Sequence, residues 1–180
     1  SPINYAATGT RSNWSGGIDT DWFKSDNWGG CPVPNCTKDA IIPGGIVNQP
    51  SVVSLVASCK SIVINPGATL TLNPGATLAV CENFTNYGSF TAAPTSIVLF
   101  SNAAVNQNID GNLLAPNAFG NLTVTKTGGQ VSILQNAEAR GNFSVTNNTS
   151  VFTMNGKNLK VGGNFNNVGN FIHSTGVLEF

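Results

Sequence analysis

The chain has little charge of either sign. Eight basic and eight acidic residues among 180 leave a formal net charge of zero. A basic footprint for nucleic acid is therefore missing, and so is an acidic tail. There is one histidine, His173. A lone histidine with no evident Asp or Ser partner is poor material for a catalytic triad, and neither a triad nor a histidine-rich metal centre is expected. No window reaches the roughly 18 apolar residues of a membrane-spanning helix. No charged n-region followed by an apolar stretch opens the chain, so no signal peptide is read, and Ser1 is compatible with a processed N-terminus. Helical periodicity is nearly absent. The best short candidate, Asn136-Ala137-Glu138-Ala139-Arg140, is too short to stand as a helix by itself.

What is present is Gly, Asn, Thr, Ser and a hydrophobic share of 41%, enough to build a core. Asn and Gly suit tight turns, and Thr and Val suit strands. A short repeat shows both: Asn65-Pro66-Gly67-Ala68-Thr69-Leu70 is followed by Asn73-Pro74-Gly75-Ala76-Thr77-Leu78. Each copy reads as a type II turn, with Pro presetting φ and Gly taking the positive-φ place, that feeds a short strand. The strands Ile62-Val63-Ile64, Leu70-Thr71-Leu72 and Leu78-Ala79-Val80 are broken too often for a flat open sheet and suit the sides of a coil. A longer repeat aligns residues 77–90 with 158–171 without a gap, at an offset of 81 residues. About four coils of roughly 20 residues would fill that offset. Asn83, Asn86, Asn164 and Asn167 are candidates for stacked ladders at the corners. The chain holds about one and a half long repeats and ends inside the second, as a fragment of a longer chain would.

The expected fold is therefore all-β: a right-handed parallel β-helix, or β-solenoid, of roughly 20-residue coils. Residues 1–50 differ, carrying Trp14, Trp22 and Trp28 and four of the five aspartates. They read as a Trp-rich N-terminal cap and the first strands. Such a cap would cover the open end of the stack and block end-to-end pairing. Residues 51–180 read as the coils.

The order Asn13-Trp14-Ser15-Gly16-Gly17, Asp21-Trp22, Asn27-Trp28 and Val33-Pro34 resembles the entry module of large secreted β-solenoid proteins of Bacteroidota. The runs Gly67-Ala68-Thr69-Leu70, Asn83-Phe84-Thr85-Asn86-Tyr87-Gly88-Ser89-Phe90 and Phe119-Gly120-Asn121-Leu122-Thr123-Val124 are similar to their repeating body. The resemblance implies export by the type IX secretion system and a role as a surface or adhesin-like protein. That system's C-terminal sorting region is not in this sequence, and the four cysteines depart from the usual pattern.

Cys31, Cys36, Cys59 and Cys81 suggest disulfides and an oxidising compartment. Cys31–Cys36 and Cys59–Cys81 are the expected pairs, because 31 and 36 are close in sequence and 59 and 81 are about one coil apart. Asp19, Asp21 and Asp26 are weak calcium candidates, although Lys24 stands where an EF-hand loop needs Gly. A structural role at turn amides is the plainer reading. Trp14, Trp22 and Trp28 could form an exposed platform for sugar rings or a buried plug, and the plug is favoured. Past the cap the acids Glu82, Asp110, Glu138 and Glu179 are scattered. Glu82 and Glu138 could meet on one face, but nothing in their spacing requires it.

No catalytic residue or cofactor is therefore assigned, calcium being the one weak exception. The expected function is a non-catalytic extracellular structural and adhesive module of a larger cell-surface or secreted bacterial protein, with self-association, surface glycans or other surface proteins as partners. Nucleic acid and membrane insertion are not expected. The alternative is a carbohydrate-binding module of a secreted polysaccharide-degrading enzyme.

Overall fold

A computed structural model of the chain describes residues 10–103 and 105–180. The opening of the expected cap, residues 1–9, lies outside the described residues.

The local rule is alternation. Inward positions are apolar and outward ones polar, with period two, as half-buried strands require. After β1 (Arg11–Asn13), the first coil is built from β2 (Asp39–Ile42), β3 (Ser51–Val52) and β4 (Val56–Cys59). The second is β5 (Ile62–Ile64), β6 (Thr69–Leu72) and β7 (Thr77–Val80), and the third β8 (Phe84–Asn86), β9 (Ser89–Ala92) and β10 (Ile97–Phe100). The fourth has only β11 (Gln107–Gly111) and β12 (Asn121–Val124). The fifth is β13 (Gln130–Ile133), β14 (Ala137–Ala139) and β15 (Phe143–Val145), and the sixth β16 (Val151–Thr153), β17 (Leu159–Val161) and β18 (Phe165–Asn167). A further partial coil holds β19 (Asn170–Ile172) and β20 (Leu178–Glu179).

Every strand pairs in parallel with its counterpart one coil away, which makes the chain an all-β solenoid of about six turns with three faces. The first face is an eight-stranded sheet, β1-β2-β5-β8-β11-β13-β16-β19, and the third a six-stranded sheet from β4 to β18. The second is split into two three-stranded pieces, β3-β6-β9 and β14-β17-β20. Coil length follows from the registers. Ile62 is 22 residues after its partner Ala40, and Ile97 is 20 after Thr77.

The Asn-Pro-Gly segments form two successive corners of the second coil. Ala68 N–H donates to Asn65 O at 2.9 Å and Ala76 N–H to Asn73 O at 3.0 Å, while Gly67 and Gly75 both sit at φ +77°. Only glycine adopts that backbone without strain, so the turns are specified by sequence. Between corners, Ile62, Ile64, Leu70, Leu72, Leu78 and Val80 point inward and are buried. Phenylalanines extend the core upward: Phe84, Phe90 and Phe119 pack mutually edge-on, and Phe143 stacks on Phe165 at 5.3 Å between centroids.

Side-chain ladders tie the coils together. Ser61 N–H donates to Asp39 Oδ1 at 3.2 Å, Asn83 N–H to Ser61 Oγ at 3.2 Å and Asn108 N–H to Asn83 Oδ1 at 2.9 Å. A second series runs Asn142 N–H to Asn121 Oδ1 at 2.8 Å and Asn164 N–H to Asn142 Oδ1 at 2.9 Å. Of the four expected ladder residues, Asn83 and Asn164 take part. Asn86 is buried instead and donates to Asn112 O at 2.7 Å, and Asn167 is exposed.

Three details differ from the sequence reading. The 81-residue match is out of phase with the coils: β7 on the third face corresponds to β17 on the second, and β8 on the first to β18 on the third. A strand-turn-strand unit fits any pair of adjacent faces, so sequence similarity does not report which face it occupies. The weak helix candidate at 136–140 contains β14, whose small Ala137 and Ala139 face inward. Among the described residues the helical structure is one 3-10 turn, Ser25–Trp28.

The disulfide also differs. Cys36 pairs with Cys81 across a Cα–Cα distance of 5.4 Å, and Cys31 and Cys59 are free. The reason is strand alternation. Cys59 is an inward, buried residue of β4 in register with Val80, not with Cys81. Cys81 follows β7 at the corner, where the exposed Cys36 reaches it. Burial pushes the Cys59 thiol above its ordinary pKa, helped by the nearby Asp39 charge.

Candidate functional site

The interrupted second face is the most distinctive surface of the molecule. In the fourth coil the chain leaves β11 through Gly111, whose backbone lies so close to Asn86 that an added Cβ would fall 2.1 Å from the Asn86 carbonyl oxygen. It then pairs with the neighbouring β14 through two isolated parallel bridges, Leu113↔Ala137 and Phe119↔Ala139. Between these bridges residues 114–116 are exposed, and Asn117 and Ala118 turn back into the core. The excursion is an insertion relative to the next coil: Leu113 and Phe119 are six residues apart, whereas their partners Ala137 and Ala139 are two apart. The first and third faces continue through it in register.

The break is sealed below by the buried Asn117, whose Oδ1 accepts the Phe90 N–H of β9 at 2.8 Å. Above it, Leu114 and Ala115 overhang β14 and β17. They border an open hollow of about 390 Å³ lined also by Asn136, Ala137, Glu138, Asn158, Lys160 and Glu179. A neighbouring hollow of about 320 Å³ runs from Leu114 and Asn136 toward Asn112, Gln135 and Lys157.

Three charged side chains lie in one column across this face, since Glu138 pairs in register with Lys160 and Lys160 with Glu179. Lys160 Nζ is 3.7 Å from Glu138 Oε1, and Glu138 Oε2 accepts the Ala115 N–H at 3.2 Å. That second bond anchors the overhang to the floor. Asn136 Oδ1 accepts the Asn158 N–H at 2.9 Å and Asn158 Oδ1 accepts the Val177 N–H at 3.0 Å, so both amide groups are held in place by one oxygen.

The residues singled out in the sequence lie elsewhere. Trp14, Trp22 and Trp28 are 1%, 0% and 0% exposed, which rules out the sugar platform. They form a mutual edge-on cluster, with centroids 5.0 Å apart for Trp14–Trp28 and 4.7 Å for Trp22–Trp28. Trp14 Nε1 donates to Asn48 O at 2.6 Å and Trp28 Nε1 to Trp22 O at 2.8 Å. Trp22 Nε1 has no partner among the described residues.

Asp19 accepts hydrogen bonds from Lys24 Nζ, from Asn27 Nδ2 at 2.7 Å and from the Asp21 N–H at 3.0 Å. The Lys24 ammonium first, and these amides with it, hold its pKa down at about 2. Asp21 Oδ1 accepts the Phe23 N–H at 2.9 Å, and Asp26 lies in the 3-10 turn. Two of the three calcium candidates therefore organise turn amides. Among the described residues no three His, Cys, Asp or Glu side chains converge as metal ligands would. Glu82 lies 3.6 Å from Lys60 and Glu138 beside Lys160, so these two acids do not meet. His173 is exposed at a corner where its carbonyl accepts the Gly176 N–H.

The buried polar group that sequence reasoning missed is Lys126, which is fully buried. Its Nζ donates to Asn102 O, to Val105 O at 2.9 Å and to Gln107 Oε1 at 2.7 Å. Gln107, also buried, passes its Nε2 hydrogens to Val80 O at 2.8 Å and Glu82 O at 3.0 Å. Burial lowers the Lys126 pKa below that of an ordinary lysine.

Among the described residues no helix is long and apolar enough to cross a membrane. No curated protein and no solved structure matches the chain. One family does match, over residues 13–113, from the first tryptophan segment to the start of the excursion. That match spans more than half of the sequence, and the chain therefore belongs to the family described as Domain of unknown function (DUF8693).

Proposed function

We propose that the chain is a non-catalytic structural and adhesive module of a larger extracellular bacterial protein. Its role is geometric: a stiff stack of coils sets a distance and holds outward faces in fixed register. The observation that carries this reading is the continuity of the stack. The first face runs unbroken through eight strands, the core is continuous beneath it, and side-chain ladders reinforce each step. A right-handed sense is part of the proposal, supported by the strong preference of parallel crossovers for that hand. The buried tryptophan cluster beside β1 supports its reading as a cap. The Cys36–Cys81 disulfide supports an oxidising, extracellular setting. Display through the type IX route of Bacteroidota, implied by the sequence resemblance, belongs to the same proposal.

The test has two parts on one preparation. Small-angle scattering over a concentration series is expected to show an elongated particle, either discrete or joining end to end. Incubation with a panel of polysaccharides is expected to release no new reducing ends and no unsaturated sugar absorbance. A compact sphere, or turnover of any polysaccharide, would overturn the reading.

A further inference from the structure

We infer that the hollow beneath Leu114 and Ala115 is a binding site for a neutral oligosaccharide. The inference deepens the adhesive part of the proposed function by naming a ligand class, and it rests on that reading only for presentation at a surface.

The chemistry of the walls selects the ligand. Asn136 and Asn158 each have Oδ1 occupied by a backbone N–H from the next coil, whereas their Nδ2 groups have no partner among the described residues. Both amides line the hollow, so it offers two oriented donors whose conformational entropy is already lost. Lys160 adds a third donor, and Glu138 and Glu179 add acceptors. Leu114 and Ala115 supply an apolar ledge. Interleaved donors and acceptors beside a small apolar surface match a pyranose ring. Each of its hydroxyls both donates and accepts, and its C–H face needs an apolar neighbour. The volume, about 390 Å³, falls in the range of small-molecule sites.

Charge and spacing narrow the class. Two carboxylates face one ammonium, which disfavours uronic acid and sulfated chains. Asn136 and Asn158 occupy equivalent places one coil apart, so their amides repeat at about the strand spacing of 4.8 Å. That step is comparable with the length of one sugar unit in an extended glycan, which would lie along the solenoid axis. A peptide adding as a strand beneath the overhang is disfavoured, because the edge of β14 there is already used: Glu138 N–H donates to Leu113 O at 3.0 Å and Glu138 O accepts the Phe119 N–H at 2.9 Å.

The experiment is a calorimetric titration of the purified chain with tetrasaccharides of β-1,4-glucose, β-1,3-glucose, β-1,4-mannose and β-1,4-xylose. An oligogalacturonate and an uncharged tetrapeptide serve as contrasts. At least one neutral tetrasaccharide is expected to bind saturably, and the contrasts are not. Asn136→Asp and Asn158→Asp keep the oxygen that the ladder needs and remove the donors, so each should weaken binding about tenfold. Glu179→Gln and Leu114→Ser alter exposed groups outside the ladder and guard against misfolding. They should weaken binding while circular dichroism stays unchanged. Absence of binding by all four neutral sugars overturns the inference, and so does binding of the oligogalacturonate or the peptide alone, or binding untouched in all four variants. None of these results would alter the scattering or turnover tests of the proposed function, so the two failures are distinguishable.

Discussion

Replacing Lys126 with Met tests whether a single buried ammonium organises the corner that carries the third coil into the fourth. Methionine has similar length and no hydrogen to donate. The substitution removes the Lys126 donor from three acceptors, the carbonyls of Asn102 and Val105 and Gln107 Oε1. An unsatisfied buried acceptor costs about 1–3 kcal/mol. Against that stands relief of the ammonium's own desolvation, several kcal/mol for a buried ion. Relaxation of the 101–106 loop toward water lowers the cost further. The expected net loss is about 2–4 kcal/mol, since three acceptors lose a donor and only one ion is removed. Urea unfolding followed by circular dichroism reads the loss, and hydrogen exchange localises it to residues 101–107. The pH dependence gives a second reading. Because burial depresses the folded-state pKa, the unfolded chain binds more protons between that value and the ordinary 10.5. Stability contributed by Lys126 therefore rises with pH through that alkaline window, and the variant should lack the rise. Equal or greater stability of the variant at neutral pH, with unchanged exchange at 101–107, would refute the clamp.

Other consequences follow from the same geometry. Peptide mapping under non-reducing conditions should recover Cys36 linked to Cys81. Cys36→Ser should cost up to about 4 kcal/mol on the chain-entropy scale, because the bridge closes a 45-residue separation. Acrylamide should quench tryptophan fluorescence weakly, all three indoles being buried, and strong quenching would contradict the cluster. Asp19, held at about 2 against an ordinary 3.8, stabilises the 19–27 turn above the ordinary value and loses that effect as pH falls through 2. Tryptophan emission should shift over that acid window in the native chain and not in Asp19→Asn. Phe143→Ala removes a ring that contacts Phe152, Phe165 and Phe171 and should cost about 3–5 kcal/mol in denaturant unfolding.

Strands and corners were legible because they follow local rules. Leu70-Thr71-Leu72 alternates, Asn-Pro-Gly turns, and the two together draw a coil. Periodicity at long range was less informative, since the three faces accept the same strand-turn-strand unit and the 81-residue match slips from one face to the next. Cysteine pairing failed for a related reason. Closeness in sequence favoured Cys31–Cys36, whereas the decisive facts were that Cys59 alternates inward and Cys81 turns the corner. The hollow left no periodic signal. It arises from a few extra residues between Leu113 and Phe119, and the amides that line it, Asn136 and Asn158, look in sequence like any other asparagine of the chain. Lys126 was likewise unremarked, because its burial depends on a loop from the preceding coil.

The excursion between Leu113 and Phe119 interrupts one face while its neighbours keep their register. The exposed residues 114–116 are therefore uncoupled from the core, whereas Asn117 and Ala118 are buried in it. Substituted or lengthened segments that replace 114–116 and keep Asn117 and the same two bridges would reshape the roof of the hollow and leave the stack beneath untouched. The coil thus behaves as a socket: one scaffold could present different recognition loops, in nature or by grafting, without a new fold having to be found for each.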